Sequence, residues 1–150
     1  AQRGKYEYFY EVLWGWLTSL KGRTKVILLI DNNDGLGKRK TLNGEMRDLA
    51  EDYPGTAGRG FKQITTDNGL ALAEICHRAG VKLANTDEVV PRGLGPAHAH
   101  GNRIDYAGVD ESENVNSCTL AKGLWERPRI SPLHADHIPM LMLMALIFVH

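Results

Sequence analysis

The sequence predicts an α/β or α+β fold, a mixed or antiparallel sheet with helices packed on it. Two segments carry apolar residues at helical spacing, and several short apolar runs are bounded by turn residues. Polar clusters fall where predicted strands meet loops, at residues 31–34 and 134–137, which is where sites collect in such folds. At 150 residues the chain is one domain's worth of sequence and can bury a real core.

Tyr6, Phe9, Leu13, Trp16, Leu17 and Leu20 recur at helical spacing and predict an amphipathic helix over 5–20, closed by Lys21 and Gly22. Residues 25–31 predict a strand, and their unbroken apolar run predicts burial on both faces. Residues 32–60 are polar and glycine-rich and predict a long loop holding one short helix around 43–52; loops of that length tend to be functional. Thr65, Thr66, Asp67 and Asn68 offer several N-caps to a second helix, whose stripe is Leu72, Ile75, Cys76 and Ala79 and whose end is Gly80. Residues 81–85 predict a short strand, 87–101 a loop, 103–109 a strand and 110–117 a polar turn. Residues 118–125 fit strand or helix equally, 129–136 predict a loop, and 139–149 a last strand. Repeats and low-complexity tracts are absent from the sequence.

The formal net charge is zero. That withholds the support a basic balance would lend to a nucleic-acid partner, without excluding one. Two cysteines, Cys76 and Cys118, do not form a disulfide framework and fit a reducing, intracellular setting, nuclear or cytoplasmic. The longest apolar run, 138–149, is interrupted by Pro139 and is too short to span a bilayer, so no membrane partner is expected. The chain begins at Ala1 rather than Met, and an upstream extension is expected.

Three clusters could carry chemistry. Asp31, Asn33 and Asp34 offer hard oxygen ligands suited to Mg²⁺ and a phosphate-bearing substrate, although an Asx-rich turn after a strand has the same composition. HADH at 134–137 could hold a metal and a general base side by side, or be a solvated polar loop. In NRIDY, Arg103 and Asp105 lie two apart on a predicted strand and share a face, as orienting partners or as an ordinary ion pair. His98, His100, His134 and His137 carry zinc-like spacings, but no cysteine pair or HExxH supports structural zinc. ITTDNG at 64–69 is similar to the strand end of transposases of the ribonuclease-H-like fold, without the further carboxylates that site needs.

Taken in order, four segments resemble the endonuclease/exonuclease/phosphatase superfamily, in the style of the endonuclease domains of non-LTR retrotransposons. FYEVLWGWLTSLKGRTKVILLIDNNDGLG (9–37) is similar to its helix, strand and GDFN-type motif, and DNGLALAEICHRAGVKLANT (67–86) to the helix and strand that follow. HAHGNRIDYAGV (98–109) is similar to its R-x-D-Y strand, and HADHIPMLM (134–142) to its terminal S-D-H motif. The resemblance implies a four-layered α/β sandwich and Mg²⁺- or Mn²⁺-dependent phosphodiester hydrolysis on DNA. It implies that Asp31 positions the attacking water and helps bind metal, Asn33 contacts the scissile phosphate and Asp136 binds the metal. It makes His137 the general base, oriented by Asp105, and places Asn68 and Arg103 in the substrate groove. Ile30 stands where the motif has glycine, Asn32 where it has an apolar residue, and Ala135 where it has serine.

The likeness covers only the later part of the family's domain. Residues 1–150 are therefore expected to be a partial domain whose N-terminal part, with an asparagine and a metal-binding glutamate, is missing. The sheet face meant for the missing part is expected to be apolar and exposed, a route to self-association. Two other functions fit the same residues: a degenerate, non-catalytic remnant or binding module, and a phosphodiesterase or phosphatase of the same superfamily acting on RNA or phospholipid.

Overall fold

In a computed structural model, residues 2–32, 35–58, 64–86, 105–120 and 140–144 are described. The first helix, α1 (Gln2–Leu20), ends where Lys21 N donates to Leu17 O and Arg23 N to Leu20 O, with Gly22 at a φ of 77°. Its buried seam is Tyr10, Leu13 and Leu17, with Trp14 partly covered. The stripe predicted through Phe9 and Trp16 is off by a residue: both rings are exposed. Leu13 and Leu17 are common to both stripes, and the neighbours that α1 meets select Tyr10 as the third member of the seam.

A three-stranded antiparallel sheet forms the centre, in the order β1 (Ile27–Asp31), β5 (Asp105–Asp110), β4 (Val81–Leu83). The predicted burial of the first strand on both faces is not found. Its residues alternate, with Leu28 and Ile30 partly buried and Ile27 and Leu29 54% and 74% exposed. An apolar run reports affinity for a core, but β1 lies at the sheet edge, and only one of its faces has a core to meet.

The predicted long loop also holds more order than expected. Lys38–Lys40 (β2) and Met46–Asp48 (β3) form a hairpin, closed by Thr41 N to Glu45 O and by Gly44 at a φ of 82°. The short helix is confined to α2 (Leu49–Asp52), begun by a capping box in which Asp48 and Glu51 exchange backbone bonds. Residues 53–58 then return to the sheet: Leu83 N donates to Thr56 O, Gly58 N to Thr86 Oγ1, and Thr56 Oγ1 lies 3.0 Å from His77 Nδ1.

The second long helix, α3 (Asp67–Ala79), follows the predicted pattern. Thr66 is its N-cap, accepting from Gly69 N, and Gly80 ends it in the left-handed region at a φ of 68°. Asp67 occupies the first helical turn, so the strand-end aspartate of the transposase-like reading is not formed. Leu72, Ala73, Cys76 and Ala79 are buried with Leu13, Leu17, Val81, Leu83 and Tyr106 in one core between the helices and the sheet.

The polar turn is shorter than predicted, with β5 running to Asp110 and β6 (Val115–Leu120) starting soon after. That resolves the ambiguous segment after Cys118 as strand over its described part. Within the predicted last strand, Met140–Met144 forms β7 and pairs antiparallel with β6. Val115 and Cys118, with Met142 and Met144, pack against Val109 and Ala84, so this ribbon covers part of the sheet face opposite the helices. Both cysteines are buried, and neither forms a disulfide. No described helix is long and apolar enough to cross a membrane.

Candidate functional site

The β1–β5 register sets Asp31, the last residue of β1, directly opposite Asp105, the first of β5. Both side chains lie on the sheet face shared by Leu29 and Ala107, away from the helices. Carboxylates supply the hard oxygen ligands that divalent cations such as Mg²⁺ take.

The chain leaving Asp31 is tied down on several sides. Tyr10 Oη donates to Asn32 Oδ1 at 2.5 Å, and Asn32 is buried. Leu36 N donates to Tyr106 Oη at 2.9 Å and Gly37 N to Thr65 Oγ1 at 2.9 Å. Thr66 N donates to Gly35 O at 3.4 Å. A Cβ on Gly69 would fall 2.2 Å from that same carbonyl oxygen, so only glycine lets the first turn of α3 approach this closely. Asn68 sits beside it, partly buried, and shares this end of the molecule with the loop after Asp31.

Asp105 is held through its backbone. Past the end of β4, the Asn85 side chain replaces a strand residue: Nδ2 donates to Asp105 O at 2.7 Å, and Oδ1 accepts from Ala107 N at 3.0 Å. Asn85 is buried, so both of its amide atoms are committed where water cannot substitute. Sequence reasoning missed Tyr10, Asn85 and Gly69 as supports of the site. Their only sequence signals were a polar residue closing an apolar strand and a glycine in a helix's first turn.

Of the predicted site residues, Asp31 and Asp105 are thus brought together, while Asn68 lies in the first turn of α3, next to the Gly69 that meets Gly35. Asn33, Arg103, Asp136 and His137 lie outside the described residues, as do Asp34, His98, His100 and His134. Among the described residues no group of three His, Cys, Asp or Glu side chains could hold a metal. Two hard carboxylates nevertheless suit Mg²⁺ or Mn²⁺, which keep most of their waters when protein ligands are few. Cys76 is no candidate nucleophile, because burial pushes its thiol up to about 12.

The basic run beside the site is only partly available. Arg39 reaches Asp52 at 3.7 Å, and Arg47 reaches Asp52 at 2.9 Å and Glu51 at 3.9 Å. Lys38 and Lys40 point to solvent. An open depression of about 470 Å³ lies on this hairpin, lined by Arg39, Lys40, Thr41, Leu42 and Asn43. It does not include the acid pair.

Compared with protein families, with curated proteins and with solved structures, the chain matches none.

Proposed function

We propose that the chain is the later part of a metal-dependent phosphodiesterase domain, of the kind that retroelement endonucleases use on DNA. The observation that carries this reading is the register that brings Asp31 and Asp105 together from strands 74 positions apart. Phosphodiester cleavage needs charge neutralisation and an activated water. A divalent cation bound by Asp31, with Asp136, would supply the neutralisation. In this reading His137 takes the proton of the attacking water, Asp105 orients His137, Asn33 holds the scissile phosphate, and Asn68 and Arg103 line the groove. Exposed Lys38 and Lys40 next to the pinned loop favour a polyanionic substrate. Ile27 and Leu29, bare on the face that also carries the acid pair, agree with a four-layered sandwich of which this chain is one part. A nuclear or cytoplasmic setting belongs to the same proposal.

A second reading has one observation in its favour. Ile30, Asn32 and Ala135 stand where the motif of the resembled family has glycine, an apolar residue and serine, which suits a remnant that binds a cation without turnover.

Nicking of supercoiled plasmid, with and without Mg²⁺, separates the two. The catalytic reading expects Mg²⁺-dependent nicking that falls by about 10²-fold or more in both Asp31→Ala and His137→Ala. Folded protein that binds Mg²⁺ in calorimetry but leaves the plasmid intact would establish the binding module instead.

A further inference from the structure

We propose that the outer edge of β1 is the interface between two copies of this chain, joined antiparallel about a two-fold axis through Leu28. The proposal stands apart from the catalytic reading, because it rests on the strand's edge and sequence alone. Val26 O accepts from Asp110 N, so Val26, Leu28 and Ile30 direct their backbone groups toward β5, and Ile27 and Leu29 direct theirs outward. The opposite edge of the sheet is closed, with Leu83 N on β4 donating to Thr56 O. Among the described residues no strand pairs with the outer edge of β1, and Ile27 and Leu29 there carry exposed apolar side chains. An edge of this kind is a template for another strand.

The sequence selects a second copy as that strand. KVILLID, residues 25–31, is nearly self-complementary about its central leucine. An antiparallel pairing centred on Leu28 sets Ile27 opposite Leu29 of the second copy, and Val26 opposite Ile30. It sets Lys25 opposite Asp31 at both ends. The pairing also satisfies the hydrogen-bond parity, since the outward residues 27 and 29 meet each other. Centring on Leu29 would set Ile27 against Asp31, which loses the match. Lys25 is 67% exposed, and its Nζ lies 2.5 Å from Glu113 Oε1, so pairing with Asp31 of the second copy would share or replace that contact. The product is a continuous six-stranded sheet, β4-β5-β1 followed by β1-β5-β4, with helices of both copies on one face.

The test is the mass of the full chain in solution across a range of concentration. The proposal expects a dimer that Ile27→Pro and Leu29→Lys both convert to monomer with far-ultraviolet circular dichroism retained. Ile27→Pro removes only an outward N–H and so leaves the ladder to β5 intact. Lys25→Asp and Asp31→Lys should each weaken the dimer by about tenfold, and the double swap should restore it. Under oxidation, an equal mixture of Ile27→Cys and Leu29→Cys should cross-link more than either variant alone. Wild type that stays monomeric overturns the interface, as does a dimer that persists in both edge variants. A swap that fails to restore the dimer, or cross-linking no greater in the mixture, overturns the Leu28-centred pairing.

Discussion

One face of the three-stranded sheet presents Leu28, Ile30, Tyr106, Val81 and Leu83 to two helices, and these residues share a core with Leu72, Ala73 and Cys76. The opposite face is uneven. Val109 and Ala84 lie under the β6–β7 ribbon, whereas Ile27 and Leu29, on the same side of the same sheet, meet solvent. Leu141 and Leu143, on the outer side of the ribbon, are exposed as well. Both faces carry large aliphatic residues, and for these the difference is in what lies over them. Apolar side chains contribute to stability in proportion to the area removed from water, so similar residues on the two faces should respond very differently to truncation.

The largest contrast comes from leucine truncation. Leu72→Ala, at a fully buried position, should cost about 2–5 kcal/mol. Leu29→Ala, on the bare part of the opposite face, should stay within about 0.5 kcal/mol for the monomer. Urea unfolding of both variants at one protein concentration measures this, and a large loss at Leu29 would show that β1 is covered in solution.

A second prediction sharpens the contrast at the junction between helix and site. Gly→Ala in the exposed interior of a helix gains about 1 kcal/mol. At Gly69 the sign should reverse, with a loss on the order of 1–3 kcal/mol, because the new methyl meets the Gly35 carbonyl. If the reading of Asp31 as a catalytic residue holds, the same variant should also depress nicking, since that carbonyl belongs to the loop leaving β1. Thermal unfolding and the plasmid assay on one preparation separate the two effects.

The smallest effect concerns acid stability on the rim. The Ser112 hydroxyl, then its backbone N–H, hydrogen-bond the Asp110 carboxylate and hold its pKa below the usual carboxylate value. A group with a lowered folded-state pKa contributes stability that is fully present above its unfolded value and is lost as pH falls through the folded one. Ser112→Ala should therefore lower stability slightly at neutral pH and leave it unchanged below the carboxylate range, so that the fall on acidification becomes shallower. Equilibrium unfolding as a function of pH reads this directly.

Local chemistry was legible in the sequence. Thr66 as a cap, the stripe from Leu72 to Ala79 and Gly80 as a left-handed stop needed only neighbours within a few turns of chain, and α3 formed as they indicate. The strand position of Asp31 and of Asp105 was legible for the same reason, each following from its own segment. Their direct opposition was not. It depends on the β1–β5 register, which pairs residues far apart in sequence, and on Asn85 and Tyr10, which act across 20 and 22 positions. The hairpin hidden in the polar segment was missed because turn residues mark both loops and hairpins, and only pairing distinguishes them.

Backbone preference, capping and the period of apolar residues act between near neighbours, and by itself the sequence determined where α1, β1 and α3 formed. Coverage is a property of what arrives from elsewhere in the chain. Only the tertiary structure decided that the apolar run of β1 would be buried on one face and bare on the other, and that two acids from separate strands would share one sheet end.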